Sequence, residues 1–364
     1  MTNSVKQHPG DWKQTKGSIC WESPANIALI KYWGKFPGQL PMNPSLSFGL
    51  KNSTVEIKLD FELDQDQVYS LESFRLNGIE HHGFRSRIDG FLRDMTSEFP
   101  FLAHAHITIS SKTTFPHSAG IASSAAAFSA LALCLCSVEE IIFQQTIDSR
   151  HFFRKASHIS RMGSGSASRS VYDGLVLWGR TKLIAESSDE YAVRLPDSEI
   201  SHVFSHWKDA VLIADSSSKK VSSSKGHALM DTHAYRQARV QQSAINLESI
   251  LAALRNGDVH KAGEVIENEA LSLHSLMMSS RPGYVLMKPA TLKMLEIIWD
   301  FRSQTNIPVY VTLDAGPNIH LLYMSGDEQQ VYNLIRNELS LHCQDGKWID
   351  DLMGHGPVRK DSHS

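Results

Sequence analysis

Little in this sequence ties it to a membrane, a nucleic acid or an oxidising compartment. Lysine plus arginine number 36 and aspartate plus glutamate 39, so the formal net charge is −3. That balance supplies no global basic field of the kind nucleic-acid binding needs. No apolar run approaches the length expected of a bilayer-crossing segment. The opening MTNSVKQHPGDWKQTKG is polar and has no apolar signal-peptide core. Cysteine is scarce as well, the whole set being Cys20, Cys134, Cys136 and Cys343. Cys134 and Cys136 lie two apart in an expected helix and face different directions, which excludes a CxxC-type pair. Buried free thiols in a reducing cytoplasm are the expected state, and the chain is read as cytoplasmic. His104 and His106 share one face of an expected strand, but no third ligand is near and no metal site is assigned there.

What is present reads as an ordinary globular chain, 41% hydrophobic and 21% charged, long enough for one large or two ordinary domains. Its organising stretch is residues 115–136, FPHSAGIASSAAAFSALALCLC. A small-residue loop through Ser118, Gly120 and Ala122 passes Ser123 and Ser124 into an alanine-rich segment that reads as a buried helix. Unpaired backbone N–H groups converge at such a helix start and the helix dipole adds positive charge, which suits a phosphate. Locally, an ordinary loop before a core helix would look the same, since the run matches neither the Walker pattern nor the dinucleotide fingerprint.

In chain order, residues 1–17 read as a flexible tail. Ile19 and Trp21 suggest a strand, and 26–30 a short buried segment. KYWGK, residues 31–35, is either a solvated turn over packed aromatics or a pair of cations aimed into a cleft. Strands are expected at 52–62, 73–79 and 106–110, and helices at 84–95 and 141–158. GSGSASR, residues 163–169, brings backbone donors, hydroxyls and Arg169 together, a combination suited to a second anionic group. A polar stretch then precedes the buried strand 209–215, which places a domain boundary near 205, between units 18–204 and 205–364. Helices follow at 232–255, 259–278 and 291–304, with strands at 308–312 and 319–324. Asp314 ends the first of these strands before a Gly-Pro turn, either as a turn cap or as a base held over a cleft. A final helix and the tail 354–364 close the chain.

Four motifs taken together resemble those of the diphosphomevalonate decarboxylase family of the GHMP kinase superfamily. They are PANIALIKYWGK (24–35), PHSAGIASSAAAFSALA (116–132), GSGSASRSVYDG (163–174) and LDAGPN (313–318), with KKVSSSKG (219–226) in support. The resemblance implies an α+β fold, the two-domain GHMP architecture with its active site in the inter-domain cleft, and commonly a homodimer. It implies conversion of ATP and (R)-5-diphosphomevalonate into isopentenyl diphosphate, CO2, ADP and phosphate, with Mg²⁺ accompanying the nucleotide. Asp314 would engage the 3-hydroxyl, and Lys31 would lie beside it and keep it ionised. Asn26, Tyr32, Lys35, Arg87, Ser166 and Arg169 would hold the substrate and its diphosphate. Ser118, Gly120, Ala122, Ser123 and Ser124 would form the ATP phosphate loop, with Ser222 and Ser223 closing over it. Metal ligands are not assigned. Two relatives of this reaction compete: decarboxylation of 5-phosphomevalonate, and a 3-kinase that stops before decarboxylation. A catalytically silent scaffold would predict damage at Asp314, Lys31, Lys35 and Arg169, all of which are intact.

Overall fold

The computed structural model describes residues 15–115, 123–144, 146–217 and 221–361. Two long strands, Thr15–Ile30 and Ser45–Leu63, pair antiparallel and form the spine of an eight-stranded sheet. Along the second, Val55, Ile57, Leu59, Phe61 and Leu63 are all buried, the period-2 signature that marked this stretch in the sequence. Ala105–Thr113 continues the sheet, and Ser70–Leu76 joins it through the sheet's parallel pairing. On the other half of Ser45–Leu63, residues Ser45 to Phe48 pair with Leu175–Trp178. Register shifts interrupt the first strand between Pro24 and Asn26 and between Ala28 and Ile30. Bulges of this kind bend a strand and re-aim its side chains. The two segments expected around Trp21 and Ile27 are therefore one bent strand.

Ser123–Phe143 is a helix laid on this sheet. Trp21 Nε1 donates to Ser137 Oγ at 2.9 Å, Ser23 and Ser129 hydroxyls meet at 3.0 Å, and Cys134 Sγ donates to Ile57 O at 3.5 Å. By length and apolarity this helix could cross a bilayer, contrary to the expectation that no run approaches that length. Here 67% of its most apolar window is buried inside the protein, so it is the central core helix. Full burial of each large apolar side chain contributes about 1.5–3 kcal/mol, which explains why such a helix needs no polar face.

The second sheet has four strands in the order Tyr310–Thr312, Ile319–Met324, Trp207–Leu212 and Trp348–Leu352, all antiparallel. Helices Pro289–Thr305 and Glu328–Asn337 cover it through Met294, Leu295, Ile298, Leu334 and Ile335. The hairpin of Arg236–Asn256 and Val259–Ser279 sits between the two sheets. Its second helix starts at Asp258, whose carboxylate accepts from Lys261 N at 2.9 Å. Leu247, Ile250, Val265 and Ile266 join the core of the first sheet, whereas Ala270 joins the core of the second. The result is the α+β architecture expected from the sequence.

Three expectations need correction. The helix placed at 141–158 is two pieces: the core helix ends at Phe143, and Ser149–Gly163 starts afresh at an Asp148 cap whose side chain accepts from His151 N at 3.2 Å. Residues 354–364 are no simple tail, because Val358–Lys360 pairs with the edge of Thr15–Ile30. The first strand begins at Thr15, inside the segment read as a flexible tail.

Candidate active site

A cavity of about 450 Å³ opens between the bent strand and its following turn, the Gly163–Arg169 segment, and the turn after Tyr310–Thr312. It brings together Asn26, Lys31, Tyr32, Lys35, Arg87, Ser123, Ser124, Ser166, Arg169, Ser222, Ser223 and Asp314. Ser118, Gly120 and Ala122 lie outside the described residues.

At its centre, Lys31 Nζ donates to Asp314 Oδ1 at 2.9 Å, the lysine side chain 2% exposed and the aspartate 28%. Burial pushes the Lys31 ammonium below its ordinary value of 10.5, against the opposing pull of Asp314 and Glu269. The Lys31 backbone is gripped from both sides. Its N–H donates to Glu269 Oε2 at 2.8 Å, and its carbonyl accepts from Arg239 Nη2 and Asn43 Nδ2, each at 2.9 Å. Glu269 and Arg239 are themselves joined by two charge-assisted bonds of 2.7 and 2.6 Å. On the far side of the turn, His274 Nε2 lies 3.1 Å from Asp314 O.

The second anchor is Arg169, 3% exposed, at the end of the 3₁₀ turn Gly165–Arg169. Its guanidinium donates to Ser47 Oγ at 2.9 Å, to Asn26 Oδ1 at 3.1 and 3.3 Å, and to Ser45 Oγ. Burial lowers its pKa to about 10. Asn26 also donates to Ser170 Oγ at 2.7 Å and Ser166 O at 3.0 Å, so protein groups already occupy all of its hydrogen-bonding capacity. Its visible work is to hold Arg169. The glycines of this segment are steric necessities: a Cβ on Gly163 would sit 2.1 Å from Phe128, and one on Gly165 2.8 Å from Trp178.

Around the mouth, Lys35 Nζ donates to Gln39 Oε1 at 2.8 Å, and Arg87 donates to Gly163 O at 3.1 Å above the Phe128 ring. Burial depresses both pKa values, with the Arg87 charge adding to the effect on Lys35. Among the described residues, Lys35, Arg87 and Arg169 have no carboxylate within ion-pair distance. The buried Tyr32 hydroxyl has no hydrogen-bond partner there either, and burial raises its pKa. Ser124 Oγ lies 3.3 Å from Ser164 Oγ, and Ser222 Oγ caps the short helix Ser223–Ala228 by accepting from Lys225 N at 3.3 Å. The wall therefore offers several cations and hydroxyls around one carboxylate, a donor set for polyanions.

Residues 23–192 match the diphosphomevalonate decarboxylase-like N-terminal domain, and residues 210–355 match the mevalonate 5-diphosphate decarboxylase C-terminal domain. The chain belongs to the diphosphomevalonate decarboxylase family. A decarboxylase of this name from Saccharomyces cerevisiae is 29% identical over 333 residues, 86% of this chain and 79% of that one. The crystal structure of mevalonate diphosphate decarboxylase from Staphylococcus aureus superposes with a TM-score of 0.81 at 28% identity, covering 95% and 99% of the two chains. A structure of MDDEF in complex with MVAPP, AMPPCP and magnesium has a TM-score of 0.80 at 26% identity, covering 96% of this chain and 100% of that one. The fold is thus the two-domain one of the family.

Sequence reasoning missed Arg239, Glu269, His227 and His274. Arg239 and Glu269 left a faint trace, since each occupies a buried position of a helix stripe otherwise free of charge: Arg239, Ser243, Leu247 in one helix and Ala262, Ile266, Glu269, Leu273 in the other. A charge in a core stripe of two consecutive helices is a sign of pairing. His227 and His274 left no comparable mark.

Proposed function

We propose that this chain catalyses the ATP-dependent decarboxylation of (R)-5-diphosphomevalonate to isopentenyl diphosphate, releasing CO2, ADP and phosphate. The observation that carries this reading is the Lys31–Asp314 pair at 2.9 Å, opening into a cavity whose other cations lack carboxylate partners. Asp314 accepts a hydrogen bond from the 3-hydroxyl and takes its proton as that oxygen attacks the γ-phosphorus of ATP. Lys31 balances the carboxylate charge and holds its orientation. The 3-phosphate then leaves with the C–O electron pair, the C–C bond to the carboxylate supplies the electrons of the new double bond, and CO2 departs. Tyr32, Lys35, Arg87 and Arg169 bind the diphosphate, with Ser166 beside them and Asn26 acting through Arg169. Ser118, Gly120, Ala122, Ser123 and Ser124 are assigned to the ATP phosphates, and Ser222 and Ser223 close over them.

Magnesium accompanies the nucleotide in this reading. The cavity supplies hard oxygen donors, one partly open carboxylate and several serine hydroxyls, and among the described residues no cluster of three His, Cys, Asp or Glu forms a protein cage. That set fits a cation held mainly by phosphates and water. The division into units 18–204 and 205–364, a cytoplasmic location supported by four buried free thiols, and a homodimer complete the proposal. Purified protein given ATP, magnesium and the diphosphate ester should release ADP, phosphate and CO2 in equal amounts. ADP without CO2 would instead identify a 3-kinase.

A further inference from the structure

His227 lies in the short helix Ser223–Ala228, is 8% exposed and lines the cavity. Its ring is packed between Tyr32, with centroids 4.4 Å apart, and Trp33, at 4.5 Å. Gly34 N–H donates to its Nδ1 at 3.0 Å, across 193 residues of sequence. A backbone N–H can only donate, so Nδ1 must carry a lone pair, and in the neutral ring the proton is then on Nε2. Protonating Nδ1 would break the Gly34 bond beside Lys35; burial and that lysine push the imidazole pKa down to about 3. Among the described residues Nε2–H makes no hydrogen bond, and the neighbouring Tyr32 hydroxyl has no partner either. Helix and turn are in tight contact here, since a Cβ on Gly226 would sit 2.7 Å from Trp33.

We propose that His227 is a specificity-determining contact of this cleft: a neutral Nε2–H donor, fixed in one tautomer by Gly34, that hydrogen-bonds a phosphate oxygen of the mevalonate ester. The inference rests on the functional reading above. It places the bond on the Tyr32 side of the cleft, where the ester phosphates are assigned, whereas Ser222 and Ser223 at the start of the same helix are assigned to the ATP phosphates. A neutral donor there adds a directed bond without a further positive charge.

Asparagine and glutamine separate the two ring nitrogens. In His227→Asn the amide oxygen replaces Nδ1 and keeps the Gly34 bond, but the shorter side chain leaves no donor at the Nε2 position. In His227→Gln the amide nitrogen reaches the Nε2 position. The asparagine variant should raise KM for the diphosphate ester about tenfold, with KM for ATP unchanged and kcat moved less, a loss of about 1.4 kcal/mol. The glutamine variant should recover most of it. Calorimetric binding of inorganic pyrophosphate reads the same contact without turnover, and the asparagine variant should bind it about tenfold more weakly than wild type. A wild type inactive on every mevalonate ester would sink the functional reading, while the pyrophosphate comparison would still decide the role of His227. Equal losses in the two variants, or unchanged pyrophosphate binding in the asparagine variant, would overturn the proposal and leave His227 as a packing residue.

Discussion

Two ion pairs stand back to back at Lys31, and they differ in one respect. Arg239 and Glu269 are sealed, with side chains 1% and 0% exposed, two mutual bonds, and further bonds to the Lys31 backbone. Lys31 and Asp314 make a single bond, and Asp314 remains 28% exposed toward the cavity. A pair this deeply sealed is out of reach of a ligand, even though Arg239 Nε makes no hydrogen bond among the described residues, so its effect is on geometry. A half-open pair keeps carboxylate lone pairs available for a substrate proton. The contrast separates what holds the site from what performs the chemistry, although all four groups are ions within one small region.

The largest expected effect comes from the open pair. Asp314→Asn keeps an oxygen to accept from Lys31 but removes the base, so kcat should fall by about 10³-fold or more, with ATP affinity nearly unchanged. A loss smaller than about tenfold would make Asp314 a turn cap and erase the distinction. The sealed pair should fail differently. Arg239→Met leaves Glu269 buried with its charge uncompensated, and denaturant unfolding should show a loss of about 3–5 kcal/mol. Intact stability with collapsed kcat would show that Arg239 acts in the chemistry after all. A smaller effect is expected at Arg169, whose bonds run to neutral partners, Ser45, Ser47 and Asn26. Arg169→Gln should lower kcat/KM for the diphosphate ester by roughly ten- to a hundredfold while changing that for the monophosphate less, narrowing the preference between them. Equal losses for both esters would mean that Arg169 only supports the fold.

The open part of the site was more legible in the sequence than the sealed part. Lys31, Arg169 and Asp314 lie in short runs dense in glycine, serine and aromatics, where close approach constrains the residue types. Gly163 and Gly165 illustrate this, since any side chain there would collide with Phe128 or Trp178. Arg239 and Glu269 are each one of several charges in long helices, and what gives them meaning is a partner 30 residues away, which no local pattern encodes. His227 is harder still: its significance depends on Gly34, from the other end of the chain. For the fold, alternation located only the second part of the strand Ser45–Leu63, at 52–62, and helical spacing located Val259–Ser279 within a residue of the expected end. Val358–Lys360 was invisible because the open edge of Thr15–Ile30, rather than its own side chains, makes it a strand. The break before Ser149–Gly163 was written in the text as Asp148-Ser149, a helix-start signal that apolar residues on either side obscured.

The central claim is that the cations around this cleft are matched to a diphosphate, and the most direct test compares two esters on the wild-type protein. Initial rates of phosphate and CO2 release should be measured across concentrations of 5-diphosphomevalonate and 5-phosphomevalonate at saturating ATP and magnesium. Leaving a buried cation unpaired costs at least about 1.4 kcal/mol, so kcat/KM should favour the diphosphate by tenfold or more. Equal efficiency on the two esters would contradict the account, and Lys35, Arg87 and Arg169 would then need another purpose.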